Sequence, residues 1–277
     1  MTPGELSPAE YDRFRSFIQK TAGISLSPGR RRTFERKIAR RMKEIGVSTF
    51  GAYYRLVTDE DGADERARML ELVAIGQTSF FRGDRQFSFV AENLIPEILE
   101  KKPVKKRLRF WSAGCSLGQE PYSIAMLVAE KTRAVAAVDA KILATDINEE
   151  SLRTASRGEY PKAVEEQVPS LYLSRYFKPI KGPSGGYRVR PRLRKLVVFR
   201  RLNLLQAPYP MAGPLDGVWL RNVMIYFSQE DKRRILREMH RLLAPGGFLC
   251  LGGSESLLGL DDRFSLIRHA VYRKVDA

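Results

Sequence analysis

Cysteine and histidine are scarce in this chain, with two of each in 277 residues. Cys115 and Cys250 are too few for a disulfide framework or a metal cage, and two histidines exclude a His-rich centre. No metal is expected. No run approaches the ~20 apolar residues that a membrane span needs. The opening Met1-Thr2-Pro3-Gly4-Glu5 lacks the basic and apolar regions of a secretion signal, so a cytoplasmic protein is the expectation. Acidic residues also fall short. Asp and Glu number 32 against 48 Lys and Arg, which leaves a net charge of +16. Such a surface attracts polyanions, whether nucleic acid, anionic lipid or an acidic protein face, and charge alone does not choose among them. The composition that remains, 43% hydrophobic and 29% charged, is globular. It excludes a disordered chain, a collagen-like repeat and a coiled coil, and the length suits one large domain or two smaller ones.

The first ninety residues carry helical periodicity and no strand pattern. Ser7-Pro8-Ala9-Glu10 forms a capping box with proline at the first helical position. Tyr11, Phe14, Phe17 and Ile18 then recur at helical spacing, and Gly23 ends the run before a Pro28-Gly29 turn. In Arg30–Lys43, Phe34, Ile38 and Met42 stand at i, i+4 and i+8, which is one core-facing stripe. Eight Lys and Arg against a single Glu fill that segment. A solvated face would mix its charges, so the imbalance reads as a docking surface for an acidic partner. Further amphipathic helices are expected around Phe50–Leu56 and Glu65–Ile75.

From Lys105 onward strands alternate with helices. Arg107–Gly114 is a strand entering a glycine turn, and Glu120–Thr132 a helix. Lys141–Asp146 is a strand ending in an acid, and Asn148–Arg157 a helix. Leu215–Leu220 reads as a buried strand, Ser228 caps a helix over Gln229–Leu243, and Phe248–Leu251 is a strand beyond the Ala244-Pro245-Gly246-Gly247 break. Alternation of this kind predicts a parallel, doubly wound sheet. One stretch interrupts it. The turn cluster Gly182–Gly186, the period-two run Tyr187–Arg190 and the apolar run Leu196–Phe199 predict a hairpin or small antiparallel insert at about 172–200. That insert serves either as an ordinary long connection or as an edge that accepts a peptide.

A strand, a glycine turn, a helix and a second strand ending in an acid describe a nucleotide-type site, unless the turn is an ordinary one and the acid incidental. The turn Gly114-Cys115-Ser116-Leu117-Gly118 does not match G-x-G-x-x-G, which weakens a dinucleotide reading. Asp146 is well placed to accept ribose hydroxyls. An adenosine without a pyrophosphate fits better, and S-adenosylmethionine is such a ligand.

Five motifs in order then carry a family resemblance. They are Thr78-Ser79-Phe80-Phe81-Arg82, Trp111–Ser123, Ala144-Thr145-Asp146-Ile147, Arg221–Phe227 and Leu243-Ala244-Pro245-Gly246-Gly247, with Ser254-Glu255-Ser256-Leu257 following. They closely resemble the CheR-type chemotaxis receptor methyltransferases over nearly the whole chain. The resemblance implies an α/β fold: a Rossmann-like S-adenosylmethionine-dependent methyltransferase domain over 89–277 with a small antiparallel β-subdomain insert. An all-helical N-terminal domain and linker over 1–88 precede it. It implies methyl transfer to glutamate carboxylates on the acidic, cytoplasmic helical region of chemoreceptors, with S-adenosylhomocysteine as product. A receptor's C-terminal tail peptide is a further partner implied for the insert. No nucleic-acid partner and no oligomer beyond a monomer are expected.

The resemblance also implies roles. Thr78 and Arg82 would contact the methionine part of the cofactor, the guanidinium matching its carboxylate in a fork. Glu120 would take its ammonium group, Asp146 the ribose, and Asn203 and Leu204 the adenine. Arg221 and Asn222 would border the cofactor and the transferring methyl, and Tyr226 the acceptor, so that Arg221 and Tyr226 orient the reacting groups. Arg31, Arg36, Arg40 and Arg41 would dock the receptor. Two positions depart from the family pattern. Gly76 replaces the usual Asn, with Gln77 beside it, and Gly253 replaces a frequent His.

Two other functions compete. A nucleic-acid methyltransferase suits the charge, but no Pro-Pro follows Arg221-Asn222 and neither cysteine follows a proline. A sensor or adaptor that binds the cofactor without turnover would keep the same motifs.

Overall fold

Local signals start the helices. The computed structural model describes residues 5–22, 26, 28–74, 78–102, 106–135, 138–182 and 185–275. Helix α1 (Pro8–Ala22) begins at the expected box, where the Ser7 amide donates to Glu10 Oε2 at 3.1 Å and the Glu10 amide donates to Ser7 Oγ at 3.2 Å. Its end at Gly23 lies outside the described residues. Helices α2 (Arg31–Glu44), α3 (Phe50–Thr58) and α4 (Ala63–Ala74) follow. Their apolar stripes meet. Phe14 and Ile18 of α1 pack with Phe34, Ile38 and Met42 of α2, Tyr53 and Val57 of α3 and Met69 of α4 in one core. Each such side chain contributes about 1.5–3 kcal/mol on leaving water.

A second helical run follows, from α5 (Asp84–Phe89) through a π-turn at Val90–Leu94 into α6 (Ile95–Glu100). Phe80, Phe81 and Phe87, which precede the division expected after residue 88, share the core beneath the sheet with Val90, Leu94 and Ile95.

The sheet is built from β1 (Arg107–Ala113), β2 (Asp139–Asp146), β6 (Val197–Arg201), β7 (Leu215–Leu220), β8 (Leu243–Leu251), β9 (Phe264–Arg268) and β10 (Val271–Lys274). Its order is β6-β2-β1-β7-β8-β10-β9. The first five strands are parallel, and β10 is antiparallel to both neighbours. Helices α7 (Gln119–Lys131), α8 (Glu149–Arg157) and α11 (Gln229–Leu242) connect the strands. Asn148 and Ser228 cap the latter two through the Ser151 and Asp231 amides. Strand order reverses between β1 and β7. That is where an open α/β sheet leaves a crevice at the carboxyl ends of its strands.

The insert differs from expectation. A three-stranded antiparallel sheet, ordered β3-β5-β4, forms from β3 (Glu159–Tyr160), β4 (Phe177–Pro179) and β5 (Tyr187–Val189), with α9 (Ser170–Tyr176) before β4. It therefore begins at residue 159, before 172. The run at 196–199 does not pair with 187–190. After the short α10 (Pro191–Arg194) it becomes β6, parallel to β2, with Ile142 opposite Val197 and Ala144 opposite Phe199. In β6, the edge strand of the large sheet, Val197 is buried and Val198 and Phe199 are half-buried. The Pro-Gly-Gly segment does not separate α11 from its strand either. It lies inside β8, at a register shift opposite Leu215–Gly217.

Candidate functional site

The turn after β1 forms the floor of a cleft. Gly114 (φ +79°), Ser116 (φ +49°) and Gly118 (φ +89°) are left-handed, so the chain turns sharply and lays amide groups along the crevice. Gly114 and Cys115 donate their amides to the Thr145 carbonyl at 2.8 and 2.9 Å, which binds the turn to the end of β2. The Ser116 amide donates to Asp146 Oδ2 at 2.7 Å, and the Asn148 amide to Asp146 Oδ1 at 2.9 Å. Two backbone donors thus fix the Asp146 carboxylate in one orientation at the cleft. A carboxylate oxygen that accepts an amide can also accept a hydroxyl, so the group suits a diol.

Across the cleft stands a pair that the sequence holds 101 residues apart. Arg221 Nη1 lies 3.3 Å from Glu120 Oε2, with side chains only 6% and 13% exposed. Arg221 Nη2 also donates to the Arg82 carbonyl. The Ser112 hydroxyl donates to Glu120 Oε1 at 2.7 Å. Burial pushes the Glu120 carboxyl above its ordinary value, while Arg221 and the Ser112 hydrogen bond pull the other way and Glu255 adds to the rise. A carboxylate so placed gains when a cationic group approaches. Cys115, which also lines the cleft, is fully buried with its thiol pushed well up by desolvation, so it is inert as a nucleophile.

The cleft encloses about 1000 Å³ of empty space, part of it open to solvent. Thr78, Arg82, Glu120, Asp146, Asn203, Leu204, Arg221, Asn222 and Tyr226 all line it. Chain segments from five different loops therefore converge on one place. Leu204 is buried, and Asn203 folds back so that its Oδ1 accepts the Leu205 amide at 3.0 Å. Tyr226 faces two ways. It lines the cleft and packs against the core of the helical bundle. Gly76 and Gln77 lie outside the described residues.

The four arginines expected to dock a receptor are not equivalent. Arg36 and Arg40 are exposed. Arg31 instead donates to the Leu6 carbonyl at 2.9 Å. Arg41 forks onto Glu65, with Nη2 at 2.7 Å from Oε2 and Nε at 3.0 Å from Oε1. Both are spent on holding the bundle, and Arg32 and Lys43 take their place on the exposed face with Arg36 and Arg40. Sequence reasoning also missed Glu255, a 9% exposed carboxylate at the end of β8 that accepts the Asn222 amide. Its motif was in view, and an acid four residues past the expected strand Phe248–Leu251 was the signal.

The donor set fits S-adenosylmethionine. An anchored carboxylate suits a ribose, a buried one an ammonium, and a guanidinium a carboxylate, while Leu204 offers an apolar wall. Two buried polar atoms at the cleft, Ser116 Oγ and Arg221 Nε, have no hydrogen-bond partner among the described residues, as expected of groups that await a ligand.

Comparison with known proteins gives the same direction. The model described as "CheR methyltransferase, SAM binding domain" matches residues 76–273, and "CheR methyltransferase, all-alpha domain" matches residues 9–74. The chain is 35% identical over 272 residues to "Chemotaxis protein methyltransferase Cher2" of Pseudomonas putida, which spans 97% of this chain and 96% of that one. It is 36% identical over 264 residues to "Chemotaxis protein methyltransferase 1" of Pseudomonas aeruginosa, with 94% of each covered. It is 35% identical over 268 residues to "Chemotaxis protein methyltransferase" of Escherichia coli, with 96% and 91% covered.

Proposed function

The chain belongs to the CheR methyltransferase family, and from that premise we propose that it esterifies glutamate side chains on the cytoplasmic helices of chemoreceptors. It is an S-adenosylmethionine-dependent methyltransferase of chemotaxis. The observation that carries the residue assignment is the convergence of nine separately chosen side chains on one cleft. Bound S-adenosylmethionine supplies an electrophilic methyl on a sulfonium. A glutamate carboxylate, with pKa ~4.3, is ionised at neutral pH and is already a nucleophile. The protein then needs no general base, and its task is to position groups and exclude water.

Asp146 holds the ribose hydroxyls with a carboxylate whose orientation its two amide donors fix. Glu120 receives the ammonium while keeping Ser112 and Arg221 as partners. Arg82 reaches the methionine carboxylate, and its own carbonyl holds Arg221. Asn203 and Leu204 border the adenine. Arg221, Asn222 and Tyr226, together on the segment after β7, face the acceptor. The exposed basic row on α2 docks the acidic receptor helix, and the open edges of the β3-β5-β4 sheet offer a place for a receptor tail peptide. Among the described residues no helix is long and apolar enough to cross a membrane.

Transfer of a tritiated methyl group to chemoreceptor-containing membranes tests this, with tRNA and duplex DNA in parallel. Base-labile label on the receptor band is the expected result. Label on nucleic acid alone refutes the substrate class.

A further inference from the structure

The geometry points to Glu255 as a positioning residue for the acceptor side of the cleft, acting through the backbone of Asn222. This rests on the reading of that cleft as the cofactor site. Glu255 Oε2 accepts two amides, from Asn222 at 2.8 Å and from Gly252 at 2.6 Å. Those amides belong to the first residues beyond β8 and just beyond β7, two neighbouring parallel strands at the centre of the sheet. One carboxylate oxygen therefore ties together the carboxyl ends where the cleft opens.

Asn222 needs that tie. Its φ is +58°, a left-handed conformation that a residue with a side chain adopts at a cost. The turn it makes sets the direction of Arg221 before it and of Val223 and Tyr226 after it, all of which line the cleft. Glu255 reaches in because the chain folds back on itself, the Glu255 amide donating to the Gly252 carbonyl at 2.9 Å. Space for the carboxylate is reserved by a glycine. A Cβ at Gly252 would come within 2.7 Å of Glu255 Oε2 and 2.8 Å of Asn222 Nδ2. Gly252 does not have a positive φ, so alanine there is limited by this approach and not by its backbone. The residue is 9% exposed and does not line the cleft, so it acts on Asn222 and touches neither cofactor nor receptor.

Four variants test the role: Glu255→Ala, Glu255→Asp, Glu255→Gln and Gly252→Ala. S-adenosylhomocysteine affinity is read by calorimetry, and kcat and KM by methyl transfer to receptor-containing membranes. Glu255→Ala and Gly252→Ala should each weaken the affinity about tenfold and lower kcat about tenfold, as expected for losing a charge-assisted hydrogen bond. The KM for receptor should stay unchanged, because the basic row on α2 is untouched. Glu255→Gln keeps an acceptor oxygen and should stay within about threefold of the parent in both. Glu255→Asp is a methylene short and should follow alanine. If Glu255→Ala does not fold, the contrast between Gln and Asp decides. Equal losses in Gln and Asp, a rise in receptor KM at unchanged kcat, or a lowered melting point with affinity and kcat intact each overturn the role. Failure of the parent protein to label receptor would refute the substrate reading, while the affinity series would still decide the place of Glu255.

Discussion

Arg40 and Arg41 are neighbours in sequence with opposite expected phenotypes. Arg41 forks onto Glu65 with both side chains mostly covered, 25% and 12% exposed. Glu65 Oε1 also accepts the hydroxyl of the fully buried Tyr53 at 2.7 Å. These bonds hold α2, α3 and α4 together, and burial with the Glu65 hydrogen bond pushes the Tyr53 hydroxyl far above its ordinary range. Removing Arg41 leaves the Glu65 carboxylate against the bundle with Tyr53 as its remaining neutral donor. Breaking a buried ion pair costs ~3–5 kcal/mol, and the partial exposure here lowers that to about 2–3 kcal/mol. The melting point of Arg41→Ala should therefore fall by about 4–10 °C. Arg40 is 78% exposed and, among the described residues, pairs with Glu44 at 3.4 Å, so Arg40→Ala should cost no more than about 0.5 kcal/mol. Function should reverse the order. Arg40→Glu and Arg36→Glu should raise the KM for receptor several-fold at low salt and less at high salt, with cofactor affinity intact. Thermal unfolding by circular dichroism and receptor titrations at two ionic strengths measure both effects. An Arg41→Ala protein as stable as Arg40→Ala would refute the structural role of the fork. An Arg40→Glu protein with unchanged KM at every salt concentration would refute docking.

Asp146→Ala should weaken S-adenosylhomocysteine binding at least about 30-fold, equivalent to ~2 kcal/mol, because it removes the ribose acceptor and frees the Ser116 and Asn148 amides; unchanged affinity by calorimetry would sink the assignment. Glu97 offers a test of pH dependence. Its hydrogen bonds to Arg273 and Lys101 hold its carboxyl down at about 2, against an ordinary 4.5. A lowered folded-state value stabilises the protein above the unfolded value, and that stability is lost as pH falls from about 4.5 towards about 2. The stability gap between the parent and Glu97→Gln, measured by urea unfolding, should be constant above about pH 5 and close as the solution is acidified. A gap independent of pH would refute it.

What could be read from the sequence depended on how far apart the deciding residues lie. Caps are local, so Ser7 with Glu10 and Ser228 with Asp231 marked their helices directly. Strand identity is local too, but strand partnership is not. The run at 196–199 was recognisable as a strand, yet nothing within it says that its neighbour is β2 and not the segment at 187–190. The antiparallel β9–β10 pair left no signal, since only Phe264 of β9 is buried and the strand shows no alternation. At the site, ordered motifs led to the residues that line the cleft, but the Arg221–Glu120 pair exists only because β7 lies beside β1.

Helix α2 is the instructive case, because there the signal was in the sequence. Residues seven apart on a helix turn through almost two full circles, so they share a face. Arg41 stands seven after Phe34, a stripe residue that faces the core, and it must point toward the bundle. Lys37, three after Phe34, is drawn the same way and donates to the Leu72 carbonyl at 2.7 Å. The opposite face is given by Arg32, Arg36, Arg40 and Lys43, all exposed. Counting charge located the helix, and phase against the apolar stripe is what separates the cations that hold the bundle from those left to meet an acidic partner.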